Sequence, residues 1–321
     1  MLYGGISMKK FMYKMVLFIS VFVIVLLLLN MKYVSTNYWK AENNVWKFNF
    51  VPNDIEFANL GSSHGELSFI YNDYPEYTTF NFGLKAQTFF WDYGILQQYI
   101  DKFAPKAVVI LPVSYFWITR RSLDYSGLRL RYYRFLEKDY FDEWNPLELL
   151  QYSKFPVLTS GKEIFNCVWD VPSSEIDIFN ERTTFLTEDE MLEYCQKRFS
   201  DVTLPEEEKG EEGYKQNFAE ICQLVKLCLD NDLQPVLVTT PIVTQLNDMY
   251  EDYGDFFETF YRFIAEVQAQ FPGVPYFDYS HDPDFSPKLE LFTDGDHLNV
   301  YGAREFTTRV VADLQEAGIL H

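Results

Sequence analysis

A serine pair at the end of a short apolar run and an Asp/His pair far downstream are the residues here best suited to chemistry. The first stretch reads Ile55-Glu56-Phe57-Ala58-Asn59-Leu60-Gly61-Ser62-Ser63-His64-Gly65. The second reads Phe292-Thr293-Asp294-Gly295-Asp296-His297-Leu298-Asn299-Val300-Tyr301-Gly302. A serine hydroxyl is a poor nucleophile near neutral pH. It needs a base within hydrogen-bond reach and a further group to orient that base. Ser63 falls where a strand turns into a helix, so its N–H lies among the unpaired donors of a helix start, which suit a developing oxyanion. His297 is the expected base. Asp294, three residues earlier, is near enough to hold the imidazole and to stabilise the imidazolium. Gly83 offers a second backbone N–H to a reacting carbonyl, since no side chain blocks the approach. His64 adjoins Ser63 and is a rival base, but adjacent helical residues do not face one another, so it is expected to point away or to contact substrate. Each feature has a plainer reading alone: Ser62 and Ser63 as a cap and a first-turn residue, Asp294 and Asp296 as caps, Gly83 as a turn glycine. Their joint order and setting favour chemistry.

The elements that must position these residues follow from periodicity. Ile55 to Leu60 is an apolar run stopped by Gly61, so a buried strand entering a tight turn. A helix is expected over Ser62 to Tyr71, a strand over Thr78 to Phe82, and a helix over Leu84 to Phe103 that ends at Pro105. Ala107 to Leu111 has the continuous apolar pattern of a central parallel strand. After residue 213 come a helix (Lys215 to Asp230), a strand (Pro235 to Thr240), a long helix (Tyr250 to Phe271), a short strand (Val274 to Asp278) and a last helix (Val300 to Ala317). Strands alternating with helices imply a parallel sheet covered on both faces. Ligands of such sheets bind beyond the carboxyl ends of the strands. Gly61-Ser62-Ser63, Asn81-Phe82-Gly83, Pro112-Val113-Ser114 and Thr239-Thr240-Pro241 all fall there.

Composition narrows the partners. The 321 residues carry a net charge of -20, which argues against nucleic acid, because phosphate binding needs basic surface. A hydrophobic content of 48% allows a sizeable core. Aromatics reach 18%, which suits either a lined groove or an aromatic-rich core. Cys167, Cys195, Cys222 and Cys228 show no metal spacing. Cys222 and Cys228 read as buried thiols, and a Cys167–Cys195 disulfide stays open in an oxidising compartment. No cofactor is implied.

Residues 15–31 carry no charge and follow Lys9, Lys10 and Lys14. With Phe11 to Tyr13 included and Lys14 snorkelling, the run reaches the length that spans a bilayer. The preceding lysines place residues 1–14 in the cytoplasm and the rest outside. The competing reading is a cleaved signal peptide, but the run is long for one and no Ala-x-Ala site follows. Residues 32–53 read as a stalk, and 54–321 as one domain with an insert at about 114–213.

The chemistry-bearing blocks resemble a known family. Phe57-Ala58-Asn59-Leu60-Gly61-Ser62-Ser63 with Asp294-Gly295-Asp296-His297-Leu298-Asn299 is similar to the first and last blocks of the SGNH (GDSL-like) hydrolase superfamily, and Phe80-Asn81-Phe82-Gly83 resembles its second. The resemblance covers about residues 55–115 and 214–317. It implies a flavodoxin-like three-layer α/β/α sandwich with a parallel sheet. It also implies Ser63 as nucleophile, Asp294 and His297 as its partners, and Gly83 as an oxyanion donor. Two departures matter. The usual Gly-Asp-Ser is Gly61-Ser62-Ser63, and where the third block should supply an Asn donor the chain has Pro112-Val113-Ser114-Tyr115. Ser114 is the expected substitute through its hydroxyl. Losing one oxyanion donor raises a barrier by a few kcal/mol, about 2.7–4. A Gly-Ser-Ser first block on a single-span anchor is similar to extracytoplasmic proteins of teichoic-acid D-alanylation and alginate O-acetylation, which implies a membrane-bound O-acyltransferase as partner.

The insert opens with Arg120, Arg121, Arg129, Arg131 and Arg134 among Tyr125, Tyr132 and Tyr133. Arg129 and Arg131 are the expected contacts to polymer phosphates or carboxylates, with His64 and Asn81 also at the substrate. The plain alternative is ion pairing with the many acids. The acidic run Glu206 to Glu212 reads as a solvated loop. The leading function is a membrane-anchored serine acyl-esterase or O-acyltransferase acting on a cell-envelope polymer or glycan through an acyl-serine intermediate. The alternative is a catalytically inactive binding or scaffold subunit of the same fold.

Overall fold

The computed structural model describes residues 8–116, 118–120, 128–167, 186–203 and 210–321. It falls into two compact units. Arg121, Tyr125 and most of the acidic run lie outside the described residues, as does the side chain of Cys167.

One unit comprises Met1–Trp46, Leu130–Phe135 and Phe141–Ile176. Its dominant element is helix α1, Met8–Ser35, long and apolar enough to cross a membrane and with its apolar window unburied by protein. A single such helix near the N-terminus also fits a signal sequence. The 28 residues measure about 42 Å, more than a hydrocarbon core needs. The expected stalk is not an irregular tether. Helix α1 runs on to Ser35, then Thr36 caps a turn of helix at Asn37–Ala41 by accepting from Trp39 N–H, and a 3₁₀ stretch occupies Glu42–Phe50. The reason is a small core of its own: Tyr33 and Trp39 are buried against Val34, Val157 and Ile164. The guanidinium of Arg134 lies 3.4 Å over the Trp39 ring.

The other unit holds Lys47–Arg129, Leu136–Tyr140 and Asp177–His321. Its five strands are all parallel: β1 (Ile55–Asn59), β2 (Thr79–Asn81), β3 (Phe103–Pro112), β4 (Gln234–Thr239) and β5 (Tyr276–Asp278). The order β2-β1-β3-β4-β5 is the doubly wound, flavodoxin-like one, with its reversal point between β1 and β3. The central strands are buried along most of their length, through apolar stretches such as 107–111 and 236–238, with Glu56 and Lys106 among the exposed exceptions. Pro105 does not end a helix before β3 as expected. It sits inside the strand, where the β1–β3 register slips between Phe103 and Val108 and Lys106 takes φ 61°. A bulge there removes the need for the missing N–H.

Helices cover both faces. Helix α2 (Ser63–Ser68) packs with α7 (Val300–Glu316) on one side. On the other, α5 (Glu211–Asp230) packs with both α3 (Phe89–Tyr99) and α6 (Phe256–Gln270). The expected insert at 114–213 is not one body. Residues 130–135 and 141–167 cluster with α1, whereas helix α4 (Glu188–Thr203) belongs to the sandwich and packs on the helix Thr244–Glu251. Cys195 on α4 is a free, buried thiol, so the disulfide considered for it is not formed; Cys222 and Cys228 are also free and buried.

Candidate active site

Two turns at the carboxyl edge of the sheet meet. The first leaves β1. Asn59 is fully buried; its amide donates to Leu60 O, Gly65 O and Asn81 Oδ1, and its Oδ1 accepts from Tyr71 Oη. Gly61 N–H donates to Asp92 Oδ1 at 2.9 Å, and Gln87 Nε2 donates to the same oxygen at 2.7 Å. Burial pushes the Asp92 carboxyl up to about 7. These bonds fix where the turn ends and Ser63 begins α2.

The second turn precedes α7. Asn299 caps that helix, with Oδ1 accepting from Tyr301 N–H and Gly302 N–H. Its amide donates to Glu290 O and Phe292 O, and Thr293 N–H donates to His297 O. Asp294 Oδ1 accepts from the N–H groups of Asp296 and His297. A Cβ at Gly295 would stand 2.9 Å from Cys195 Sγ and 3.3 Å from Tyr194, so glycine is what lets this loop lie against α4.

Ser63 Oγ lies 2.8 Å from His297 Nε2, and His297 Nδ1 lies 2.9 and 3.0 Å from the oxygens of Asp294. The hydroxyl from the first turn and the imidazole from the last are therefore in contact. A second carboxylate shares the same nitrogen: Asp296 Oδ1 is 3.3 Å from Nδ1. Sequence reasoning treated Asp296 only as a cap. It is wholly buried, and Arg198 of α4 covers it, with Nη2 2.6 Å and Nε 2.8 Å from Oδ2. Tyr194 Oη, one turn earlier, donates to Oδ1 at 3.2 Å. The sequence held a signal for this pair, since Tyr194 and Arg198 are four apart and share a helix face.

The charges oppose burial. Desolvation alone would push His297 down, but Asp294 and Asp296 outweigh it and hold the imidazole up to about 10. Desolvation would raise Asp296, yet His297 and Arg198 hold it well below the usual carboxylate range. His64 goes the other way. Burial first, and the charge of His297 second, push it down to about 3. Its ring stacks on His297, centroids 4.9 Å apart at 23°, and on Phe116 at 5.7 Å. His64 is thus buried beneath the His297 ring, with no open surface toward a substrate. Ser62 Oγ is 3.5 Å from its Nδ1, and Nε2, 3.7 Å from Asp296, has no hydrogen-bond partner among the described residues.

Other expected contacts are also corrected. Gly83 N–H donates to Asn81 Oδ1 at 2.9 Å, so it is not free for an oxyanion. A Cβ at Gly83 would stand 2.5 Å from Glu66 N, so glycine is required by backbone packing against α2. Asn81 likewise faces no open site; its amide reaches Gly65 O, Glu66 O and Phe69 O. Ser114 lies two residues beyond β3, and its hydroxyl accepts from Phe116 N–H at 3.4 Å, leaving its proton to donate. Arg131 is buried, donating to Tyr132 Oη at 2.8 Å, which removes it from any polymer-binding surface. Arg129 is half-buried and falls in the sandwich unit, whereas Arg131 clusters with α1. Arg134 donates to Trp39 O and Glu42 O.

His64, Asp296 and His297 each bring one donor atom within 4.8 Å of the others. The set does not suit a metal. Stacked imidazoles direct their in-plane lone pairs alongside one another, both His297 nitrogens are engaged, and Arg198 already balances Asp296.

No family model matches the chain, and no curated protein matches it. Among solved structures it is similar to one from Streptococcus pneumonia, described as a candidate platelet activating factor. The identity is 10%, the TM-score 0.41, and the match covers 91% of this chain and 99% of that one.

Proposed function

We propose that this chain is an SGNH-like serine acyl-esterase or O-acyltransferase, held to a membrane by α1 with its site outside the cytoplasm. The observation that carries the reading is the line Ser63 Oγ–His297 Nε2 at 2.8 Å and His297 Nδ1–Asp294 at 2.9 Å. Neutral His297 takes the Ser63 proton as Oγ bonds to the acyl carbonyl. The resulting oxyanion is met by Ser63 N–H, with Ser114 Oγ as the second donor, since Gly83 is occupied. Collapse expels the alcohol, which receives the proton from His297. Water or a hydroxyl of a cell-envelope polymer or glycan then repeats the steps in reverse order on the acyl-serine ester. Both outcomes use the same three residues. Transfer would match a membrane-bound O-acyltransferase as acyl supplier.

A second reading, an inactive scaffold subunit of the same fold, is favoured by one observation: the expected Gly83 donor is consumed by Asn81. Fluorophosphonate labelling of the full chain in detergent separates the two. The enzyme reading expects an adduct on Ser63 that Ser63→Ala abolishes with little change in Tm. A folded protein that takes no label at pH 7 or pH 10 would leave the scaffold reading.

A further inference from the structure

Beyond the site, one feature of the α1 unit is unexplained by a soluble surface. The segment from Pro146 to Cys167 forms short helical turns, of which Pro156–Thr159 and Glu163–Cys167 pack on α1. The contact is fixed at one residue. Asn30 Nδ2 donates to Lys154 O at 3.0 Å, and Asn30 Oδ1 accepts from Val157 N–H at 3.3 Å. Asn30 stands at the last step of the uncharged run 15–31, where a hydrocarbon core would end. The segment is therefore pinned at the depth of the bilayer boundary.

Its composition is wrong for water. Val157 and Ile164 face inward onto Tyr33 and Trp39. Their neighbours Leu158 and Phe165 are exposed, Phe165 at 75%, and so are Leu147 and Leu150. Four exposed large apolar side chains, interleaved with Gln151, Lys154 and Lys162, on an element that already packs Val157 and Ile164 inward, make an amphipathic outer face suited to a lipid boundary. Lys32 and the exposed Tyr38 follow the span directly, and Lys154 and Lys162 are exposed on the segment. Amphipathic rings and snorkelling cations are the usual furnishing of a lipid interface.

We infer that residues 146–167 are a second membrane-contacting element, an interfacial collar that buries Leu147, Leu150, Leu158 and Phe165 at the headgroup–acyl boundary beside α1. The occupant is the lipid of the outer leaflet. Continuity with the span through Asn30 favours lipid over a protein partner. The single span fixes depth, and the collar adds apolar area around it.

The test uses the full chain in phosphatidylglycerol–phosphatidylcholine vesicles that contain a lipid with an acyl-chain diazirine. After irradiation and peptide mass spectrometry, adducts are expected on the 146–167 segment as well as on α1. In the double variant Leu158→Ser/Phe165→Ser, whose changed side chains are exposed and leave the fold intact, segment adducts should fall several-fold with α1 adducts unchanged. Adducts confined to α1 in the parent chain overturn the inference, as does a variant that labels like its parent. Segment cross-links to a second polypeptide in native membranes, without lipid adducts, would assign the face to a protein instead.

Discussion

The two turns that meet at the site are built by different forces. The Ser63 turn is held mainly by side-chain amides: Asn59 and Asn81 donate to backbone carbonyls, and Gly61 N–H sits on the Asp92 carboxyl. The base loop is held by charge. Asp294 and Asp296 face one imidazole, and Arg198 closes the second carboxylate off from water. Amide hydrogen bonds fix position without titrating, whereas ion pairs of the second kind fix a protonation state as well. Ser63 is thus placed, and His297 is both placed and tuned.

Breaking the orienting carboxylate should have the largest effect. Asp294→Asn is expected to lower kcat on the order of 10³–10⁴-fold, measured by ester turnover, because the tautomer is lost. A loss smaller than that of Asp296→Asn would reverse the two roles. Next, Arg198→Met should destabilise the fold by about 3 kcal/mol, since it strands Asp296 as a buried charge. Denaturant unfolding reads this, and the double variant Arg198→Met/Asp296→Asn should recover much of the loss. If the single and double variants unfold alike, the pair is not coupled.

On the neutral side, Asn81→Ala should reduce stability by about 1–3 kcal/mol while the folded fraction keeps its KM. A raised KM with unchanged unfolding would restore Asn81 to substrate contact. The smallest change in maximal rate is expected from Asp296→Asn, which leaves Asp294 in place. Its signature is the pH profile. In the proposed mechanism His297 must be neutral to act, and it is held up to about 10 by two carboxylates, so activity is expected to rise on the alkaline side. Removing one carboxylate moves that rise in kcat/KM toward lower pH. A profile that does not move would mean Asp296 has no part in setting the base.

The sequence made the charged partners hardest to read. Strands β1, β3 and β4 are largely apolar, and alternation with helices led to the parallel sandwich that the structure has. Ser63, Asp294 and His297 could be picked out because they sit at the carboxyl edge and have few other uses. Asp296 could not be distinguished from a cap, because an Asp before a helix is common and its burial depends on α4. Arg198 was hidden inside a stretch with no alternation, whose pieces go to different units. Asn59 and Asn81 look like turn residues at strand ends, and only the packed structure shows their amides engaged. The arginine-tyrosine patch misled for the opposite reason. Spacing suggested a surface, but Arg131 buries its charge on Tyr132, and Arg134 spreads its charge on Trp39.

The face-to-face pair of imidazoles makes acid and alkali act on this protein through separate rings. Both rings would titrate near 6.5 in the unfolded chain. For His64, held near 3 when folded, the unfolded chain takes up the extra proton, so acidification below about 6.5 erodes stability down to that value. For His297, held near 10, the folded chain keeps the extra proton, and alkalinisation above about 6.5 erodes stability up to that value. Between them the two rings contribute most stability at about 6.5, and every step toward the alkaline pH that neutralises His297 also loosens the loop that carries it, an antagonism set by two stacked rings.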